Sequence, residues 1–108
     1  MTGTQYIVVL VTVPNQEEAR GLGRVLLEEK LAACVNIVPN VDSLFWWEGK
    51  IDRAGECLLI LKTRYSVFQT LVAAIKARHS YSVPEIIALP IIAGQEDYLA
   101  WIDETVQS

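Results

Sequence analysis

The pattern of apolar positions divides the chain into predicted strands and helices. Residues 6–13 form a nearly unbroken β-branched run, which is typical of a strand buried on both faces. Residues 51–63 are apolar in their second half and are predicted as another central strand. Residues 33–38 and 41–48 read as strand but are interrupted by Pro39. Because proline cannot donate to a strand ladder, this segment is predicted as an edge strand with a bulge or a break.

Three helices are predicted from apolar residues at helical spacing and from capping residues. Asn15 is the predicted N-cap of the first helix, and Glu18 can reach back to complete a capping box. Lys30 is placed in the last turn, where the helix dipole favours a cation. Ser66 is the predicted cap of the second helix, and Gly94 separates the fourth strand (residues 86–92) from a short last helix.

This order of elements predicts an α+β fold of the ferredoxin-like kind. Two interleaved βαβ units give a βαββαβ sandwich, here with an extra C-terminal helix. Glu48-Gly49-Lys50 is predicted as the turn of a long hairpin between the second and third strands. The chain has no internal repeat, linker or low-complexity tract, so residues 1–108 are predicted as a single domain.

The apolar content predicts self-association. Hydrophobic residues make up 52% of the chain and the mean hydropathy is +0.29. Leu44, Phe45, Trp46 and Trp47 place bulky groups on both faces of the predicted hairpin, where a solvated ribbon would not tolerate them. Packing against neighbouring copies, closed by three-fold symmetry, would cover them, and a homotrimer is therefore expected. The alternative is that these side chains cover helices of their own subunit.

Charge and cysteine usage limit the partners and the compartment. The net charge of −4 and the pI near 4.9 disfavour a nucleic-acid partner, which requires a basic face. No apolar run is long enough to span a membrane. The opening residues 1–5 lack the pattern of a secretory signal, and Cys34 and Cys57 lie in strand-like runs. Reduced thiols and a cytoplasmic location are therefore expected.

The most polar stretch of functional interest lies between the second helix and the fourth strand. His79, Tyr81 and Glu85 occur within seven residues. A simple connection between a helix and a strand needs only turn residues and not an imidazole, a phenol and a carboxylate. Cu(II) would accept His79 and Glu85, whereas Cu(I) would prefer Cys34 or Cys57. One histidine cannot build a dedicated high-affinity site by itself, so ligands would have to come from several segments or subunits.

Each candidate ligand also has a purely structural interpretation. His79 could simply end a helix, where an imidazolium favours the carbonyl end. Glu85 could pair with Lys62 or with an arginine. Cys34 could be a small buried apolar residue.

Lys62 points to a second kind of site. It follows an aliphatic strand, so its charge needs a partner, which could be Glu85, Tyr81 or an anionic ligand. Together with Trp47, Tyr81 and Trp101, and next to His79, it could form a pocket at a subunit interface with aromatic walls and a few polar groups. A structural salt bridge inside the assembly is the alternative.

Four runs of sequence resemble one known family. Residues 31–39 (LAACVNIVP), 47–51 (WEGKI), 56–63 and 79–90 together are similar to the CutA family of divalent-cation-tolerance proteins. The resemblance covers nearly the whole chain. It implies a ferredoxin-like subunit in a tight trimer, similar in architecture to the PII signalling proteins. It also implies a cytoplasmic location in bacteria and a role in tolerance to copper and other divalent metals.

Enzymatic functions find little support in the sequence. Residues 13–16 lack the arginine that acylphosphatases of this topology need, and there is no nucleophile elbow or P-loop. The central strands lack the stacking aromatics of RNA-recognition modules. Two hypotheses remain. One is a trimer that responds to metal and binds copper or a similar ion through Cys34, His79 and Glu85. The other is a PII-like regulatory or scaffold trimer that binds a small anion or a partner protein in its interface clefts.

Overall fold

The predicted order of strands and helices is confirmed. A computed structural model describes residues 5–106, in which the elements follow one another as β1 (Tyr6–Val13), α1 (Gln16–Glu28), β2 (Cys34–Trp47), β3 (Lys50–Arg64), α2 (Phe68–Arg78), β4 (Ile86–Pro90) and α3 (Glu96–Thr105). A single 3-10 turn, Tyr65–Val67, precedes α2. The strands form one antiparallel sheet in the order β2-β3-β1-β4, so β1 and β3 are central, as expected for a ferredoxin-like sandwich.

The main core lies between one face of the sheet and helices α1 and α2. Alternate residues of the two central strands are buried on this face: Ile7, Val9, Val11, Val13, Cys57, Leu59, Leu61 and Thr63. The helices contribute the buried residues Leu22, Leu26, Leu71 and Ile75. Thr63 is the one buried polar residue among them, and its Oγ1 donates to the carbonyl of Leu31 at 2.7 Å. Its hydrogen bond offsets the loss of water on burial.

The opposite face of the sheet is apolar and only partly covered. Val8, Leu10, Leu58 and Ile60 alternate with the core residues and are only partly buried. On β4, Ile87 and Leu89 are each 50% exposed. The prediction that the central strands are buried on both faces is therefore wrong for a single chain, because the helices α1 and α2 cover only one face.

The long hairpin extends beyond the sheet as a two-stranded arm. β1 pairs with β3 only between Cys57 and Arg64, so the remainder of β3 pairs with β2 alone. The predicted bulge lies between Val38 and Val41. The arm exposes apolar side chains to solvent, with Trp46 72% exposed.

Three details of the helix ends differ in part from expectation. The Oδ1 of Asn15 accepts the backbone N–H of Glu18 at 2.8 Å, as predicted for an N-cap, but the Glu18 carboxylate binds Ser80 and does not reach back to the cap. Helix α1 ends at Glu28, so Lys30 lies beyond its last turn, in a left-handed conformation (φ 61°). Ser66 lies within the 3-10 turn, and α2 begins without a side-chain cap.

Helix α3 is anchored by Asp103. Its Oδ2 accepts a 2.7 Å hydrogen bond from the Tyr6 hydroxyl, and its Oδ1 lies 3.3 Å from Nε of Arg64. The hydrogen bond to Asp103 is the main reason that the pKa of Tyr6 is raised. Ile102 and Val106 are buried beside these contacts.

None of the helices in the described part of the chain has the length and hydropathy needed to cross a membrane. Residues 1–4, which carry most of the expectation about a secretory signal, and residues 107–108 of the predicted single domain lie outside the described residues.

Candidate functional site

The side chain of His79 is buried, and both of its ring nitrogens have hydrogen-bond partners in the chain. Its Nε2 lies 2.7 Å from the carbonyl of Thr12, and its Nδ1 accepts the backbone N–H of Tyr81 at 3.0 Å. These partners assign the tautomer with hydrogen on Nε2. Glu18 approaches Nδ1 to 3.8 Å and also accepts hydrogen bonds from Ser80. The imidazole therefore fastens the end of α2 to β1.

Tyr81 joins the segment before β4 to the base of the hairpin arm. Its hydroxyl donates to Oε2 of Glu56 at 2.8 Å, and its ring packs at a tilt against His79, with centroids 4.9 Å apart. Burial, and next the hydrogen bond to Glu56, raise the pKa of Tyr81 to about 12. The phenol therefore holds its proton to a higher pH than an ordinary tyrosine does.

A cleft of about 960 Å³ opens between the hairpin arm and the segment 80–85. Phe45 and Trp47 share one face of the arm with Asp52, whereas Trp46 belongs to the other face although it also borders the cleft. Four carboxylates line the cleft, those of Asp42, Asp52, Glu56 and Glu85, while no lysine or arginine does so among residues 5–106. The volume and the mixture of aromatic and polar groups are those of a small-ligand site. Its charge favours a cation.

Lys62 belongs to a separate cluster on the open face of the sheet. Its Nζ donates to Oδ1 of Asn36 and lies 3.9 Å from Sγ of Cys34. Cys34 and Lys62 are opposite each other in the pairing of β2 with β3. Burial is the main cause of the raised pKa of Tyr98, and Cys34 adds to it. The prediction that Glu85 or Tyr81 partners Lys62 is thus corrected, because Asn36 does so.

The predicted site residues fall into two groups. Trp47, Tyr81 and Glu85 line the cleft, with His79 behind them. Cys34 and Lys62 lie elsewhere along the sheet. Thr12, which His79 contacts, pairs with Leu58, four residues from Lys62, or about 13 Å along an extended strand. These residues therefore do not form one pocket within one chain, and the pocket predicted at a subunit interface stays a prediction.

Trp101 lies on α3, half exposed, and packs at a tilt against Tyr98 with ring centroids 5.4 Å apart. It does not line the cleft with Trp47.

Two residues of these clusters were missed in the sequence. Glu56 and Asn36 carry the contacts of Tyr81 and Lys62, respectively. A polar Asn36 within the apolar run Cys34–Val38 was a usable signal. No such signal pointed to Glu56, because its partner Tyr81 lies 25 positions away in the chain.

A preformed metal site is not present in the described part of one chain. Within residues 5–106, no three side chains of His, Cys, Asp or Glu lie close enough together to hold an ion. Both ring nitrogens of His79 already have partners. The described residues of one chain thus do not fit a dedicated high-affinity metal centre, for which three or four converging ligands are usual.

Comparison with known proteins places this chain among relatives named for cation tolerance. The family model described as CutA1 divalent ion tolerance protein matches residues 7–105. Protein CutA 1, chloroplastic, from Oryza sativa is 52% identical over 101 residues, which are 94% of this chain and 57% of that protein. The divalent-cation tolerance protein CutA of Thermus thermophilus is 50% identical over 97 residues, covering 90% of this chain and 94% of that protein.

The fold also superposes closely on a solved structure of a relative. The periplasmic divalent cation tolerance protein CutA from Archaeoglobus fulgidus superposes with a TM-score of 0.92 at 49% identity, covering 94% of this chain and 99% of that one. The chain thus spans little more than half of the plant relative and nearly the full length of the prokaryotic ones. With a family match from residue 7 to residue 105 and these identities, the chain belongs to the CutA1 family of divalent ion tolerance proteins.

Proposed function

We propose that this protein acts in tolerance to divalent cations as a homotrimer that binds copper or a similar ion weakly. The observation that carries the function is the family match across residues 7–105. The family is named for ion tolerance and not for a reaction, and the proposal gives the protein no catalytic role.

The trimer is supported by the surfaces that one chain leaves uncovered. Ile87 and Leu89 are half exposed on the open sheet face, and the hairpin arm exposes Leu44 and Trp46 still more. In residues 5–106, the outer strands β2 and β4 each have a free edge. Neighbouring copies that pack on the open face and pair with these edges would cover the apolar side chains and satisfy the free strand edges. Three-fold symmetry closes such an arrangement.

The proposed cation contacts come from Glu85, Cys34 and His79. Glu85 is exposed and Cys34 is partly buried, whereas His79 would have to give up its hydrogen bonds to bind an ion. Because Cys34 lies apart from the other two within a chain, a site using all three would draw them from different subunits. Binding is therefore expected to be weak and to depend on assembly.

Titration calorimetry with Cu(II) and Zn(II) tests this proposal. Glu85→Gln and Cys34→Ser should each weaken the binding of at least one ion, since they remove a hard and a soft ligand, respectively. Glu104→Gln, which removes an exposed carboxylate on α3, serves as the control of equal charge. Identical isotherms for all these proteins would contradict direct binding through the proposed residues.

A PII-like scaffold that binds a partner protein in its clefts is the second candidate. The cleft beside the hairpin arm favours it, since its volume and aromatic wall suit a docked ligand. The carboxylates of this cleft disfavour the small anion that the sequence left open. Affinity capture by wild type and by Trp47→Ala would distinguish a partner held in the cleft from one bound elsewhere.

A cytoplasmic location is also proposed, supported by the free thiols of Cys34 and Cys57. Relatives differ in this respect, since one is named chloroplastic and another periplasmic. Fractionation of the source cells tests it.

A further inference from the structure

We propose that Asp52 on the hairpin arm of one chain forms an ion pair with Lys62 on the open sheet face of the next chain. The open sheet face is the face opposite helices α1 and α2. The ion pair rests on the trimer proposed above and adds the contact that orients one subunit against the next.

Lys62 is a partly buried cation whose hydrogen-bond partner in its own chain carries no charge. Its Nζ donates to Oδ1 of Asn36 and lies 3.9 Å from Sγ of Cys34. Within residues 5–106 no carboxylate forms a salt bridge with it, whereas Arg64, two residues further along the same face, pairs with Asp103. When a neighbouring copy covers this face, Lys62 loses water and needs a carboxylate, because a buried charge without an opposite charge is costly.

One face of the arm offers such a carboxylate between aromatic side chains. Alternate residues of a strand share a face, so Asp52 lies on the same side of β3 as Lys62. Phe45 is opposite Asp52 in the pairing of β2 with β3, and Trp47 is two residues further along that face. Asp52 is exposed, accepts the backbone N–H of Arg53 at 2.8 Å, and has no salt bridge in the described part of the chain.

The separation of the two charges favours a head-to-tail contact between chains. Asp52 and Lys62 are ten residues apart on β3, or about 30 Å along an extended strand, so they cannot meet within one chain. The projecting arm of one chain can instead carry Asp52 onto the sheet of the next. Such a contact joins two different surfaces, and repeating it with a suitable rotation closes a ring. Each chain of the trimer would then donate one arm and receive another.

Apolar side chains surround both members of the pair. Phe45 and Trp47 lie beside the carboxylate on the arm. On the receiving sheet, Val8 is opposite Lys62 and Ile60 shares its face, and both are partly buried in one chain. Contact between these groups would exclude water from the ion pair and strengthen its attraction.

Charge reversal tests the pair, with the mass in solution measured by light scattering after gel filtration over a dilution series. Asp52→Lys and Lys62→Glu each place like charges at the contact. Each variant should therefore dissociate at a concentration about ten-fold higher than wild type or more. The double variant Asp52→Lys/Lys62→Glu restores opposite charges and should dissociate within about three-fold of the wild-type concentration.

The control is the double variant Glu17→Lys/Lys62→Glu. It has the same net charge as the first double variant, but Glu17 is exposed on α1, on the other side of the sheet. It should dissociate as Lys62→Glu alone does. Far-UV circular dichroism checks that each variant folds. Because Asp52 is exposed, Asp52→Lys should fold and keeps the test decisive whatever the folding of Lys62→Glu.

The possible failures are distinguishable. A wild-type trimer that Asp52→Lys leaves unchanged would overturn the ion pair and leave the trimer standing. Equal rescue of Lys62→Glu by Glu17→Lys and by Asp52→Lys would also overturn the pair, since it would indicate an effect of net charge alone. A wild-type monomer would overturn the trimer itself and the pair with it.

Discussion

The hydroxyl of Tyr81 donates a 2.8 Å hydrogen bond to Oε2 of Glu56, a residue 25 positions earlier in the chain. Through this contact the segment that follows α2 is held against the base of the hairpin arm, where the arm leaves the sheet. Both residues line the cleft, so this hydrogen bond joins its two sides.

Removing this hydrogen bond should loosen the arm. Tyr81→Phe is expected to lower the free energy of unfolding by about 1.5 kcal/mol, since a partly buried hydrogen bond to a carboxylate is lost. Denaturant unfolding measures the change. Tyr65→Phe, at an exposed tyrosine, is the matched control and should leave the stability unchanged.

The same pair makes stability fall at high pH. The pKa of Tyr81 is about 12 in the folded protein, against 10.0 for a free tyrosine. The folded state thus holds the proton more tightly, so the contribution is complete below pH 10 and is lost as the pH rises from 10 to 12. Tyr81→Phe should lose less stability across this window than wild type. Tyr6 and Tyr98, whose pKa values are also raised, leave some dependence in the variant. Equal slopes in both proteins would contradict this explanation.

His79 should contribute mainly to stability. His79→Ala removes both of its hydrogen bonds and leaves a cavity, so a loss of about 3 kcal/mol in the free energy of unfolding is expected. His79→Gln can retain a donor toward the carbonyl of Thr12 and should lose less. A loss in His79→Ala below about 1 kcal/mol would contradict the structural role.

The order of elements was predictable because it depends on local patterns. The apolar runs of β1 and β3 and the break at Pro39 read directly as central strands and a bulged edge strand, and these predictions hold. The cap at Asn15 holds for the same reason, since it acts over three residues.

The site was less predictable because it depends on long-range register. Asn36 meets Lys62 only because the pairing of β2 with β3 places Cys34 opposite Lys62. Glu56 meets Tyr81 only once the arm and the α2–β4 segment meet beyond the end of β1. Burial of Lys62 and the chemistry of Tyr81 were visible in the sequence, but the identity of each partner was not.

The turn at the tip of the arm should respond to substitution according to its backbone. Glu48 and Gly49 both have positive φ, at 50° and 79°, as in a type I′ turn. Glu48→Asn should raise the free energy of unfolding by about 0.5 kcal/mol, because asparagine adopts this conformation more readily. Gly49→Ala should lower it by about 1 kcal/mol. Thermal unfolding measures both changes, and the same sign for the two variants would contradict this turn.

A charge on the open sheet face should dissociate the proposed trimer. Leu89 is half exposed on that face, and Leu89→Glu would place a carboxylate where neighbouring copies are proposed to pack. Its mass in solution should fall below that of wild type. Leu27→Glu, at a similarly exposed leucine on helix α1, is the control and should leave the mass unchanged.

The most direct test of the proposed assembly is the mass of the wild-type protein by light scattering after gel filtration. A trimer predicts three times the chain mass of 12.1 kDa, maintained on dilution. A mass equal to that of one chain would show that the open sheet face and the aromatic arm are stable in water, and would contradict the account.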